Sequence, residues 1–283
     1  MSKSKFYICP VTKNNLFCNS DSYYTKKLNY KIIKKNKKHE ITDFLNLEEK
    51  TSFYSQKIFY KNYLSWLSKT LLMSENSMRK EIFQDLKIGK KISVLFVGCG
   101  FGDEIKYFLK KYGLSHDIYA QDLSKTMIVE SSKNLDNYKI IFSISNANSL
   151  PYKKDFFDLV FHFGGINQFD KKKKTLTEIN RVTKPEGKIL ISDEGMAPWL
   201  SKTERYKALK INNRLWSTLP PLSILPISSD KINVSWILKN NFYKILYKKK
   251  SFSNKINYDI VHKSPKGGSI RTRYEKHYKK NLK

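Results

Sequence analysis

The segment Val94-Leu95-Phe96-Val97-Gly98-Cys99-Gly100-Phe101-Gly102 constrains the chain most, because an apolar strand runs into glycines at alternate positions and then into an amphipathic helix. Glycine is needed at such a turn because a Cβ would keep the backbone from closing on a ligand, and because positive φ is open to it without strain. The helix behind begins near Asp103 and places Ile105, Phe108 and Leu109 on one face. In α/β sheets this arrangement puts a nucleotide-like ligand at the strand's carboxyl end. The spacing separates two chemistries. A dinucleotide fingerprint, G-x-G-x-x-G, would need its third glycine at 103, where the chain has Asp103. The pattern here is G-x-G-x-G.

Further motifs follow in order. A second apolar segment, His116 to Gln121, ends in Asp122-Leu123-Ser124. An acid about 20 residues beyond the loop is where this fold hydrogen-bonds a ribose, since a carboxylate accepts two hydrogen bonds from a vicinal diol. Asp122 equally suits the start of a helix, as a cap or first-turn acid ahead of Ser124. Lys139 to Ile144 reads as a third strand, followed by Ser145-Asn146-Ala147-Asn148-Ser149-Leu150-Pro151-Tyr152. Phe156 to Phe163 reads as a fourth, running into Gly164-Gly165-Ile166-Asn167-Gln168-Phe169. Leu176, Ile179 and Val182 mark a helix face that Pro185 and Gly187 bring to an end, and Lys188 to Asp193 supplies a fifth strand.

In that order over residues 91–195, these motifs resemble a class I S-adenosylmethionine-dependent methyltransferase with a core of the type 11 kind. The resemblance implies an α/β fold: a Rossmann-like, seven-stranded sheet with helices on both faces, a small N-terminal extension and an inserted lid. It implies S-adenosyl-L-methionine as cofactor, cradled by Gly98, Cys99, Gly100 and Gly102. Asp122 would hold its ribose, Asn146 and Ala147 would meet its adenine, the Gly164 to Phe169 loop would close over its methionine end, and Leu123 and His162 would be further cofactor contacts. Two positions depart from the family. Asn146 stands where an acid usually meets the adenine amino group, and Phe96 stands where Glu or Asp usually organises the glycine loop and the cofactor's amino group.

Residues 1–48 contain Phe6-Tyr7-Ile8-Cys9-Pro10-Val11-Thr12, which resembles the knuckle of the zinc-ribbon-like domain found ahead of some methyltransferases, with Thr12 in place of the second cysteine. Cys18 has no C-x-x-C partner, so no metal site is expected in this knob. Asn29 to Ile33 and His39 to Leu45 resemble that domain's closing strand and turn. Residues 49–90 are read as a helical lid, with Phe59, Tyr63, Trp66, Leu67 and Leu71 forming one stripe over Phe53 to Met73, and Met78, Ile82, Phe83 and Leu86 a second. Residues 196–283 would hold a lid insertion rich in Trp, Pro and Leu, a helix near Lys202 to Trp216, final strands at Trp236 to Lys248 and Tyr258 to His262, and a basic tail. The insertion suits a cover over an apolar substrate, a packing arm or a dimer contact. No oligomeric state follows from it.

The formal net charge of +29 raises the question of nucleic acid. Only 6 of the 54 basic residues are Arg, the residue suited to bidentate phosphate and guanine contacts. The excess is Lys, and it accompanies 22 Asn and 27 Ile, as drift toward A/T-rich codons would produce. The lysine runs are scattered, so no specific nucleic-acid partner is expected. The 40% hydrophobic content suffices for a sizeable core, yet no stretch approaches the roughly 20 apolar residues of a membrane span. The first ten residues lack the apolar core of a secretory signal, and three cysteines cannot pair completely, so a reducing cytoplasm is expected.

These features lead to a methyltransferase acting on a small, partly apolar acceptor. An RNA or protein methyltransferase, or a cofactor-binding protein without turnover, are the alternatives. A general base is required only if the acceptor arrives protonated. The candidates are His162, at the end of the fourth strand, and Asp193 or Glu194, at the end of the fifth.

Overall fold

The computed structural model describes residues 2–45 and 57–251, together with residues 261, 268–269, 271–273 and 276. The chain divides into two compact units, Met1–Ser251 and Phe252–Lys283. In the second, Ser269 Oγ accepts the Thr272 amide of a short helical turn. Except for Val261, the expected strand Tyr258 to His262 lies outside the described residues.

The first unit opens with five strands, β1 (Ser2–Ile8), β2 (Asn15–Cys18), β3 (Ser22–Tyr24), β4 (Asn29–Lys35) and β5 (His39–Asp43). Two helices follow, α1 (Lys57–Leu71) and α2 (Glu75–Ile82). Alternation then begins with β6 (Ser93–Val97), α3 (Asp103–Tyr112), β7 (Asp117–Asp122), α4 (Lys125–Asn134) and β8 (Ile140–Ile144). It continues with β9 (Phe157–Phe163), α5 (Lys172–Val182) and β10 (Thr183–Glu194), and closes with α6 (Glu204–Asn212), β11 (Ser229–Ile237) and β12 (Phe242–Lys249). The sheet runs β1-β2-β3-β4-β5-β8-β7-β6-β9-β10-β12-β11. From β5 to β10 neighbouring strands pair in parallel, and β12 enters antiparallel between β10 and β11. The order reverses at β6, where one crossover leads toward β7 and the other toward β9, which opens a crevice at the strands' carboxyl ends.

The parallel strands β6 to β10 are largely buried on both faces, and their residues alternate between two cores. Phe96, Ala120, Phe142 and Phe161 pack with Leu71, Ile82, Phe108 and Ile128 of α1 to α4. Leu95, Val97, Val160 and Ile191 pack with Leu176 and Ile179 of α5 and with Tyr7, Leu16 and Tyr30 of the N-terminal strands. Between β8 and β9 the chain makes only a 3-10 turn, Ala147–Ser149, so no long helix covers that part of the second face. The first strands cover it instead: Tyr7 bridges to Tyr152, the Ile8 amide donates to Pro151 O at 2.9 Å, and β5 pairs with β8.

The N-terminal strands continue the main sheet through β5. His39 to Asp43, expected as a turn, is a strand in the main sheet. Cys9 is buried, with its Sγ 3.1 Å from Tyr30 Oη and accepting the Thr12 amide. The expected strand Trp236 to Lys248 is also divided. Leu238, Lys239 and Asn240 all have positive φ, and the Asn241 side-chain amide donates to the carbonyls of Leu238 and Lys239, so the segment turns back as the β11–β12 hairpin.

Gly102 shows why glycine is required at the mouth of α3. Its φ is +84°, and a Cβ there would lie 2.5 Å from Ser131 Oγ and 2.6 Å from Leu135 Cδ1 of the neighbouring helix and its cap. Gly102→Ala should destabilise the protein by about 2–4 kcal/mol through left-handed strain and overpacking. Denaturant unfolding checks this, and a variant as stable as the wild type would contradict it.

Candidate functional site

A cleft of about 1380 Å³ opens at the carboxyl ends of the parallel strands. At its centre the loop after β6 is held to the end of β7. Gly98 N donates to Gln121 Oε1 at 3.3 Å, Cys99 N to Gln121 O at 2.9 Å, and Gly100 N to Asp122 Oδ2 at 3.0 Å. Asp122 Oδ1 accepts the Ser124 amide, and Ser124 Oγ in turn caps α4 by accepting from Met127 N. Asp122 thus serves as cap-side acid and as part of the cleft wall at once. A Cβ at Gly100 would meet nothing within 4 Å, so the loop presents bare backbone to open space.

Beside this lies His162. Its ring Nδ1 donates to Val97 O at 2.8 Å, and burial pushes its pKa down to about 4, so the imidazole is neutral at pH 7 with Nε2 as an acceptor. On the far side of β9, Asp193 Oδ2 accepts the Asn167 amide at 2.6 Å and Oδ1 that of Glu194 at 2.8 Å. Burial raises the Asp193 carboxyl to about 6. Glu194 is pushed up to about 7, by burial first and by the Asp193 charge second. Its carboxylate accepts from Tyr63 Oη of α1 and, at 3.4 Å, from Asn213 Nδ2 beyond α6.

Most of the residues expected from the sequence meet here. Gly98, Cys99, Gly100, Asp122, Leu123, Asn146, Ala147, His162, Asp193 and Glu194 all line this cleft. Gly102 does not, because its hydrogen-only side packs against α4. Asn146 Oδ1 is committed to the Asn148 amide at 2.8 Å. Phe96 is buried behind the loop, its ring 5.5 Å from Phe108 and 5.2 Å from Phe161. The two tryptophans expected to line a substrate cover are elsewhere: Trp199 is 63% exposed against Trp236, and Trp216 is fully buried between Trp66 and Phe242. Among the described residues between β10 and β11, Asn213 and Leu215 line the cleft. Sequence reasoning missed Gln121, Glu104 and the Tyr63–Glu194–Asn213 cluster. Gln121 had a signal, being the polar end of an apolar strand directly ahead of Asp122.

Comparisons with known proteins agree with this architecture. Residues 95–191 match the family described as methyltransferase domain. The ubiquinone/menaquinone biosynthesis C-methyltransferase UbiE of Blochmanniella floridana is 30% identical over 170 residues, 56% of this chain and 67% of that protein. Its counterpart in Hydrogenovibrio crunogenus is 34% identical over 102 residues, 35% of this chain and 40% of that one. With this and the Cupriavidus taiwanensis enzyme the match spans about two fifths of the relative's length. In fold the chain is similar to the Haemonchus contortus phosphoethanolamine N-methyltransferase 2 in complex with S-adenosyl-L-methionine, at TM-score 0.53 and 14% identity, covering 73% of this chain and 61% of that one. A Methanococcus maripaludis protein described as an S-adenosyl-L-methionine-dependent methyltransferase gives TM-score 0.52 at 19% identity, covering 74% and 100%. The chain belongs to the class I S-adenosylmethionine-dependent methyltransferases, and S-adenosylmethionine is its cofactor. The cleft fits that group, with an open glycine backbone, a carboxylate at the end of β7, and apolar walls. Among the described residues no helix is long and apolar enough to cross a membrane.

The buried acids have a consequence for stability. A carboxyl whose pKa is raised by folding stabilises the fold while protonated, so the contributions of Asp193 and Glu194 are full below about pH 4 and are lost as pH rises through about 6 and about 7. His162 works in the opposite direction, losing its contribution as pH falls toward 4. Glu194→Gln should therefore melt higher than the wild type at pH 8 and at the same temperature near pH 4. Parallel melting curves across that range would contradict the burial of a titrating Glu194.

Proposed function

We propose that this chain transfers the methyl group of S-adenosylmethionine to a small, partly apolar acceptor that arrives carrying an acidic proton, with Glu194 as the base. The observation that carries this reading is the Glu194 carboxylate, buried in the cleft wall between Tyr63 and Asn213 with its pKa at about 7. A base works best when its pKa lies near the working pH, whereas a carboxylate in its ordinary range is too weak to accept a phenol or enol proton. Leu64, Leu67, Leu215, Phe163 and Phe242 line the same cleft and suit an apolar body on the acceptor. Relatives named as C-methyltransferases of ubiquinone/menaquinone biosynthesis favour an acceptor that becomes nucleophilic at carbon once deprotonated.

Asp122 would hold the cofactor's ribose, the Gly98 to Gly100 backbone would pass beneath its sulfur, and Ala147 would lie against its adenine. Bound there, the cofactor supplies a methyl carbon on a sulfonium, open to in-line displacement. Glu194 takes the acceptor's proton at a carboxylate oxygen, while Tyr63 and Asn213 hold that carboxylate in place. Asp193 fixes the loop around Asn167 by accepting that residue's backbone amide. His162, neutral, walls the cleft without adding a positive charge beside a sulfonium. The apolar side chains of α1 exclude water, which strengthens each of these polar contacts. The cover over the cleft is divided: α1 provides most of it, and Asn213 and Leu215 complete it. The seven strands β8-β7-β6-β9-β10-β12-β11 form the catalytic core in this reading, and the N-terminal strands buttress it.

Asp122→Ala should raise the dissociation constant for S-adenosylhomocysteine roughly 10- to 100-fold while circular dichroism stays native, since hydrogen bonds to a charged group are worth about 1.5–3 kcal/mol each. Calorimetric titration checks this, and an unchanged constant would remove Asp122 from the ribose site. The activity itself is tested by incubating the protein with methyl-labelled S-adenosylmethionine and a whole-cell extract separated into small molecules, RNA and protein. Label should enter the small-molecule fraction, in compounds with an ionisable phenol or enol. Label confined to RNA or protein would overturn the proposal.

A further inference from the structure

S-Adenosylmethionine ends in an amino acid whose ammonium donates three hydrogen bonds and binds most strongly where one acceptor is a carboxylate. Phe96 cannot supply one, because its ring is buried in the aromatic packing of Phe108 and Phe161 behind the glycine loop. Six carboxylates line the cleft, those of Asp43, Glu104, Asp122, Asp170, Asp193 and Glu194. Five are met by donors from elsewhere in their own loops or from neighbouring segments. Asp43 accepts the Leu45 amide, and Asp170 accepts the Asn148 side-chain amide and the Lys171 amide. Asp122, Asp193 and Glu194 hold the partners already described.

Glu104 differs from these. It stands in the first turn of α3, directly behind the loop that passes from Gly98 to Gly102. Its Oε1 lies 3.4 Å from Arg79 Nε, longer than a charge-assisted hydrogen bond, and Arg79 is shared with Glu75 at 3.0 Å and Asp103 at 3.7 Å. Burial raises the Glu104 carboxyl above the usual range even with Arg79 beside it, and Asp103 adds to the rise. Glu104 lines the cleft and shares the Arg79 guanidinium with two further carboxylates, so it can receive a second cation entering from the cleft. Its position also suits the ligand. With the ribose at the end of β7 and the methyl group facing Glu194 beyond β9, the aminoacyl end lies over the β6 loop, and Glu104 is the acid at that loop that reaches the cleft.

We propose that Glu104 receives the α-ammonium of the cofactor's methionine end, with Arg79 as the residue that keeps it ionised. The inference rests on the binding of S-adenosylmethionine in this cleft. The test measures binding by calorimetry and needs no turnover, with S-adenosylhomocysteine and its analogue lacking the α-amino group as probes for the wild-type protein and for Glu104→Gln. Loss of the amino group should weaken binding to the wild type by at least roughly 10-fold and should change binding to Glu104→Gln by less than about 2-fold. 5′-Methylthioadenosine, which has no aminoacyl end, should bind both proteins alike. If Glu104→Gln does not fold, the two ligands are still compared on the wild type, where equal affinities would overturn the proposal. So would an amino-group penalty equally large in both proteins. A wild type that binds none of the three ligands would overturn the cofactor reading as well, and the two failures are thereby distinguished.

Discussion

The carboxyl ends of β6, β7 and β8 are joined by two side chains at the end of β7. Gln121 accepts Gly98 N at 3.3 Å and donates to Ser145 O, while Asp122 accepts Gly100 N and Ser124 N at 3.0 Å each. The Asp122 carbonyl accepts Ser145 N at 2.9 Å. Loop amides that would otherwise be buried without partners are thereby satisfied from one strand end, at a place where an orphaned donor costs about 1–3 kcal/mol. The positions of Gly98 and Gly100, the start of α4 and the turn at Asn146 depend on that junction. The family's acid at position 96 is dispensable for loop shape here because Gln121 and Asp122 hold the loop from the other side. Position 96 is then free to join an aromatic core in which Phe161 stacks on Phe83 at 4.7 Å and carries α2.

A second junction lies across the sheet at the end of β10. Tyr63 and Asn213 are separated by 150 residues of chain and meet on one carboxylate. The cover over the cleft is therefore fastened to the group that we assign as base. Deprotonation of Glu194 strengthens its hydrogen bonds to both segments. Asp193, one residue earlier and facing the Asn167 loop, raises its neighbour's pKa by charge.

Local pattern made the centre of the fold legible. Alternate glycines after an apolar strand, an acid after the next strand, and a Leu-Pro-aromatic turn after the third are features within a few residues of one another, and each is a direct consequence of backbone geometry. Ten of the residues expected at the site, Glu194 included, line the cleft for that reason. What escaped depends on distant contacts. Nothing near Tyr63 signals Glu194, and nothing near Trp216 signals that Trp66 and Phe242 bury it. Gly102 was grouped with its neighbours by spacing, yet its constraint comes from Ser131 and Leu135. The resemblance at Cys9 and Pro10 carried no sign of where the N-terminal strands pack; that place follows from the uncovered face that the short β8–β9 connection leaves. The hairpin at Leu238 to Asn240 had a cue in the paired Asn240 and Asn241, residues that tolerate left-handed backbone and bond their own turn.

The central claim is one of placement: a cofactor lying across the carboxyl ends of the strands, ribose on Asp122, and the sulfur turned toward Glu194. A crystal structure of the protein with S-adenosylhomocysteine at saturating concentration tests it most directly. The account predicts ribose hydroxyls within hydrogen-bond distance of Asp122 and the thioether sulfur over the Gly98 to Gly100 backbone, facing the space bounded by Glu194 and Tyr63. A ligand bound outside this cleft, or one whose sulfur faces away from Glu194, would contradict it.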